Sequence, residues 1–140
     1  MLTYRNGRIQ EIQSEHQLQK AIVERLRSSG FFVVNTDVCG MAVQFIHNKQ
    51  DKLKFISHIK ALGYETGCTD LVVIGYGHTL LLELKFEKGR LSPEQKNYIA
   101  RADAAGIETA VWRTVKECMD WIVQVTKEHR EAKLANGNAA

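Results

Sequence analysis

The chain predicts an α/β fold, a mixed central β-sheet flanked by helices. Three observations carry that reading. The apolar run Leu71-Val72-Val73-Ile74 is joined by Gly75-Tyr76-Gly77-His78 to a second, Thr79 through Phe86, which reads as two adjacent strands and a turn. Segments with a 3.6-residue apolar period lie on either side, several opened by capping patterns. The connections are short and the order is α-β-β-α-β-β-α-β-α, which suits a mixed sheet with helices on its faces.

The 140 residues suffice for one domain with a buried core, and 44% hydrophobic and 25% charged content is ordinary for a soluble globular protein. No run of 18 apolar residues suits a membrane span, and Met1-Leu2-Thr3-Tyr4-Arg5 lacks the apolar core of a signal peptide. Cys39, Cys68 and Cys118 are odd in number and widely spaced. That argues against a disulfide framework or structural zinc and for a reducing, cytoplasmic setting. The net charge of +3 permits an anionic partner without demanding one.

Residues 1–13 are polar, with an Asn6-Gly7 turn signal, and read as a frayed arm or a small hairpin. Ser14-Glu15-His16-Gln17 is a capping box opening a helix to about Ser29, closed by Gly30, with Leu18, Ala21, Ile22 and Leu26 as its apolar stripe. Glu15 falls in line with that stripe at 100° per residue. It either faces the core and needs a partner or stays wet in the first turn, where the helix dipole favours an acid. Phe31–Asn35 reads as a strand, 36–41 as a loop and Ala42–Ile46 as a short strand or extended segment. A helix follows over Lys52–Leu62, with Phe55, Ile56, Ile59 and Leu62 buried and Gly63 ending it.

Later in the chain, Ser92, Pro93 and Gln95 occupy the N-cap, N1 and N3 places of a helix running to about Ala105, with Tyr98, Ile99 and Ala102 as its stripe. Gln95 reads either as the reciprocal half of that cap or as a polar group aimed at the central strands. Ile107–Trp112 is a strand. Thr114-Val115-Lys116-Glu117 opens a last helix towards Arg130, with Val115, Met119, Ile122 and Val125 on one face. Residues 1–133 are expected to form the single domain and 134–140 a disordered tail.

Strand alternation puts Leu80, Leu82, Leu84 and Phe86 on one face and Leu81, Glu83, Lys85 and Glu87 on the other. With Asp70 before the first strand, Glu15, Asp70, Glu83, Lys85 and Gln95 are directed at the interior or one sheet face. Converging carboxylates repel unless a cation joins them, and hard oxygen ligands favour Mg²⁺ or Mn²⁺. Asp70 and Glu83, with the main-chain carbonyl of Leu84, are the candidate metal ligands, and Glu15 would hold a second metal or its water. Lys85 would orient or deprotonate a metal-bound water, or stabilise developing negative charge. The set suits phosphodiester hydrolysis. Lys49, Lys52 and Lys54, with Lys88 and Arg90 in the turn after the hairpin, are candidate phosphate contacts; most of the helix lysines read more readily as a solvated helix face.

At these residues the chain resembles the PD-(D/E)xK nuclease superfamily and, more specifically, the VRR-NUC domain. The resembling segments are Ser14 to Gln19, Ala61 to Leu71, Glu83-Leu84-Lys85 and Lys88 to Gln95, within residues 14–125. Thr69-Asp70 stands for the Pro-Asp of the superfamily name, and Val111-Trp112-Arg113 for the family's Val-Arg-Arg run. Gln95 and Tyr98 are three apart and do not make the Gln-x-x-x-Tyr motif of RecB-like nucleases. The resemblance implies a restriction-endonuclease-like core, catalysis by Glu15, Asp70, Glu83, Lys85 and Gln95, and Mg²⁺ or Mn²⁺ as cofactor. It also implies a homodimer acting on branched DNA such as four-way junctions. The alternatives are a restriction-like or flap- and end-processing nuclease, or a catalytically silent DNA-binding module.

Overall fold

In the computed structural model, which describes residues 2–5 and 8–138, one four-stranded sheet orders the chain. Its strands are β3 (Phe32–Asn35), β4 (Leu71–Gly75), β5 (His78–Leu84) and β6 (Glu108–Trp112), side by side in that order. The first two pairings are antiparallel and the last is parallel, so the sheet is mixed, as expected. The helices are α1 (Glu15–Ser28), α2 (Val38–Val43), α3 (Lys49–Ala61), α4 (Pro93–Ala104) and α5 (Val115–Asn138). A separate hairpin, β1 (Leu2–Arg5) with β2 (Arg8–Glu11), precedes α1; the Asn6-Gly7 turn signal lies outside the described residues.

One sheet face builds the core. Register aligns Val33 with Val73 and Leu80, and Leu71 with Leu82, so these side chains form rows. Leu18, Ile22 and Leu26 of α1 and Cys118, Ile122 and Val125 of α5 complete the same buried cluster. The stripe expected for α1 is buried throughout; of that expected for α5, Val115, Ile122 and Val125 are buried and Met119 is half-buried. Both are opened as the capping patterns predict, with Ser14 Oγ accepting the Gln17 N–H at 3.2 Å and Thr114 Oγ1 the Glu117 N–H at 3.2 Å.

The second face is unevenly covered. Helix α4 lies over its β5–β6 side, where Leu81, Tyr98 and Ala102 line a common crevice. On the β3–β4 side, Phe32, Val34 and Ile74 remain 74%, 54% and 45% exposed. Gly67 is what lets α4 approach the start of β4. It has φ +82, and a Cβ there would sit 2.5 Å from the main-chain carbon of Glu94. Gly67→Ala is therefore expected to cost at least about 2 kcal/mol in a denaturant titration, from left-handed strain plus displacement of the α4 N-terminus.

Several expectations are corrected. Ala42–Ile46 is not a strand: β3 pairs with β4, and α2 satisfies this stretch locally, the Met41 N–H bonding Asp37 O at 3.0 Å. Helix α3 starts at Lys49, because Asn48 caps the N–H groups of Gln50 and Asp51. Of its four expected core residues only Ile59 is buried; Phe55 and Ile56 are half-buried and Leu62 is exposed, since α3 packs mainly on the short α2. Helix α5 continues to Asn138, through part of the segment expected to be disordered. In the β4–β5 turn the positive φ values fall on Tyr76 (53°) and Gly77 (80°). Tyr76 is held there by donating to Ser29 O at 2.6 Å and stacking 4.9 Å from Phe31.

Candidate functional site

The site grows from the far end of the β4–β5 ladder. Leu71 is opposite Leu82, so one further step brings Asp70 alongside Glu83. Asp70 Oδ2 accepts the main-chain N–H of Leu84 at 2.8 Å, which fixes its carboxylate across the strand. Behind it, Asp70 O accepts the Thr36 N–H at 3.0 Å, and the Thr36 hydroxyl donates to Thr69 O. Glu83 points to the second face, as strand alternation predicts, and is only 1% exposed. Lys85 follows on the same face, its Nζ 3.3 Å from Glu83 Oε1.

Gln95 enters from α4 and does both things the sequence left open. Its Oε1 accepts the Ser92 N–H at 2.9 Å while its own N–H is capped by Ser92 Oγ at 3.1 Å. With the carbonyl end so occupied, the amide must present its NH₂, and Nε2 donates to Glu83 Oε1 at 2.8 Å. The capping box thus orients the side chain that holds Glu83. One carboxylate oxygen of Glu83 is met twice, by Gln95 and Lys85. The other, Oε2, is buried and has no hydrogen-bond partner among the described residues.

Charge explains the strain in this arrangement. Burial, and then the neighbouring Asp70 carboxylate, push Glu83 up to about 8, against the opposing pull of Lys85. Burial also raises Asp70; the Leu84 N–H works against this, while Glu15 and Asp37 add to it. Burial and the Asp70 carboxylate both favour the protonated form of Glu83 over the charged one. Glu15 itself is exposed in the first turn of α1, so the core-facing alternative is corrected, yet its charge reaches both buried carboxylates. The helix stripe ends before Glu15, whose position is at the mouth of the site.

Asp70, Glu83, Lys85 and Gln95 are brought together, and the Leu84 peptide is joined to them through its N–H. Lys49, Lys52, Lys54, Lys88 and Arg90 form no ion pair with another described residue. Arg113 serves the fold: its Nη1 donates to Glu87 O at 2.9 Å and Gly89 O at 2.7 Å, tying down the loop between β5 and α4. Sequence reasoning missed Thr36 and Asp37, read as plain loop. Asp37 accepts the Tyr64 hydroxyl at 2.9 Å and, with Cys68 and Gln95, lines a cleft of about 270 Å³. Burial and Asp37 push the Cys68 thiol beside it up to about 11, which disfavours the thiolate. Among the described residues no three or more His, Cys, Asp or Glu side chains cluster to hold a metal ion.

The arrangement can be set beside known proteins. A solved structure described as a VRR_NUC domain is similar over 77% of this chain and 92% of its own, with a TM-score of 0.53 and 21% identity. At that identity the likeness is one of fold, a mixed four-stranded α/β core. No family model matches the chain, and no curated protein matches it.

Proposed function

We propose that the protein is a Mg²⁺- or Mn²⁺-dependent, structure-specific DNA endonuclease, with four-way junctions as its substrate. The observation that carries this reading is the Asp70–Glu83 pair: two adjacent, desolvated carboxylates held at raised pKa, one with an unmet oxygen, and a lysine at 3.3 Å. Such a pair is costly unless a cation neutralises it. The donor set fits the ion. Mg²⁺ takes one or two protein carboxylates and fills its remaining places with water and substrate phosphate, so two acids and the Leu84 carbonyl suffice without a third side chain. The likeness in fold to a VRR_NUC domain adds weight.

A bound divalent cation would supply charge neutralisation and Lewis acidity at a phosphodiester oxygen. The chain does the rest. Asp70 and Glu83 would hold the ion; Gln95 and Lys85 keep Glu83 Oε1 engaged, which leaves Oε2 as its unmet oxygen. The Lys85 ammonium orients the attacking water and opposes charge developing on the phosphate. Glu15, exposed at the mouth, is suited to hold a further ion or its water. A homodimer would put two such sites about a two-fold axis, matching a symmetric junction; the uncovered apolar Phe32, Val34 and Ile74 are compatible with a partner copy.

The test is cleavage of end-labelled four-way junction, splayed-arm, linear duplex and single-stranded DNA in Mg²⁺, Mn²⁺ or EDTA. Metal-dependent paired nicks in the junction are expected. Cutting of flaps or linear ends would keep the chemistry and move the substrate; no cutting of any DNA would sink the nuclease reading. Gln95→Ala is expected to lower cleavage about 10- to 100-fold, the usual cost of losing a group that orients a metal ligand. Gln95→Glu can keep the α4 cap but turns a third carboxylate on Glu83. Equal loss in both variants, with α4 helicity by circular dichroism retained in Gln95→Glu, separates orientation from capping.

A further inference from the structure

A second concavity lies beside the candidate site, along the solvent side of α1. It has a volume of about 550 Å³ and is walled by His16, Gln19, Lys20, Val23 and Arg27, with Asn35 and Met41 opposite. Those α1 positions recur at helical spacing, adjacent to the buried stripe Leu18, Ala21, Ile22 and Leu26, so the wall runs nearly the whole helix. From His16 to Ser28 that is roughly 18 Å at 1.5 Å per residue. At about 3.4 Å of rise per nucleotide the wall matches some five nucleotides of one strand.

We infer that this groove is the track on which one phosphodiester strand of the substrate lies as it enters the carboxylate site. The inference rests on the nuclease reading above and extends it. Three observations support it. Lys20 and Arg27 carry fixed positive charge and His16 adds a third donor, against one carboxylate, Glu24, on the same wall. Among the described residues Lys20 and His16 have no ion-pair partner, and Arg27 uses one N–H on Val33 O at 3.0 Å out of the five it carries. Val23 and Met41 give an apolar strip between the polar groups, which suits sugars and base faces.

The groove also leads to the right place. Its upper end is His16, next in sequence to Glu15, whose charge is felt at Asp70 and Glu83. Met41 belongs to both this groove and the 270 Å³ cleft that contains Gln95, the residue bound to Glu83. A strand leaving the α1 groove past Met41 enters that cleft, which Gln95 lines. The α3 lysines read from the sequence as phosphate contacts are not among the groove's walls.

The test is binding of fluorescein-labelled single strands and four-way junctions, by anisotropy in EDTA over a salt series, alongside cleavage in Mn²⁺. Lys20→Glu and the pair Lys20→Ala/His16→Ala are compared with wild type and with Lys116→Ala, a lysine paired to Asp120 on exposed α5. All these positions are solvent-exposed, and unchanged thermal midpoints establish that the variants fold. Arg27 is left alone because its bond to Val33 belongs to the fold. The expected result is at least tenfold weaker binding for both groove variants, whatever the DNA sequence. The slope of log K against log salt should fall by roughly 0.7–0.9 for each phosphate that a variant no longer neutralises, with Lys116→Ala unaffected. Wild type that cleaves while the groove variants bind with unchanged affinity and slope overturns the track and keeps the nuclease. Wild type that neither binds nor cleaves DNA overturns both.

Discussion

Asp70→Asn is expected to lower phosphodiester cleavage by at least about 10³-fold while leaving a folded protein that is more stable without metal than the wild type. The two halves come from the same geometry. Asparagine keeps an oxygen to accept the Leu84 N–H, which Asp70 now receives at 2.8 Å, so the strand crossing survives. What it loses is the negative charge that raises Glu83 and would hold a cation. Loss of a principal metal ligand removes the largest electrostatic contribution such a site makes to the transition state. Cation-induced stabilisation is an independent readout. At a free ion concentration 100 times its Kd, a folded-state site contributes about 2.7 kcal/mol, and this gain should vanish in Asp70→Asn. Retained cleavage would move the chemistry to other groups.

The second large effect is on stability against pH. Glu83 has an ordinary value of 4.5 and stands near 8 in the folded chain, through burial and the charge of Asp70. Between these two values the folded state holds a proton that the unfolded state has released. Stability of the metal-free protein should therefore be greatest below about pH 4.5 as far as this group is concerned, and fall as pH rises towards 8. For a single proton the slope can reach about 1.4 kcal/mol per pH unit. Glu83→Gln cannot titrate, and its Oε1 can still accept from Gln95. Urea midpoints taken from pH 5 to 8 should fall for wild type and stay level for Glu83→Gln, leaving the variant the more stable at pH 8. Saturating Mn²⁺ should flatten the wild-type profile. A wild-type profile already flat without metal would show that the buried pair is not held protonated.

Much of the sheet was legible in the chain because its signals are local. The run Leu80-Leu82-Leu84 states a core face by alternation alone, and Glu83 then has only one direction to point. Ser92-Pro93-x-Gln95 states both a helix start and the amide's position. Less local features were not readable. Whether Glu15 faces the core depends on where α1 meets the sheet, not on its helical angle. The helical state of Val38–Val43 rests on main-chain bonds such as Met41 N–H to Asp37 O, which the apolar run did not signal. The roles of Thr36 and Asp37 rest on contacts some 30 residues away in sequence, to Thr69, Asp70 and Tyr64. Gln95 presented an either-or in the sequence that the structure resolves as both, because one amide has two ends.

The bond from Arg27 to the carbonyl of Val33 has a bearing on how the protein behaves in a crowd. Strand β3 lies at the boundary of its sheet, and such a strand is a template on which chains of the same kind can stack into fibrils. Its exposed side chains, Phe32 and Val34, would favour that stacking. A guanidinium seated on the strand's middle carbonyl puts a bulky, hydrated cation where an incoming strand would need to donate. Fibril growth by strand addition at β3 would first have to evict it. Arg27 is thus expected to oppose strand addition at this edge.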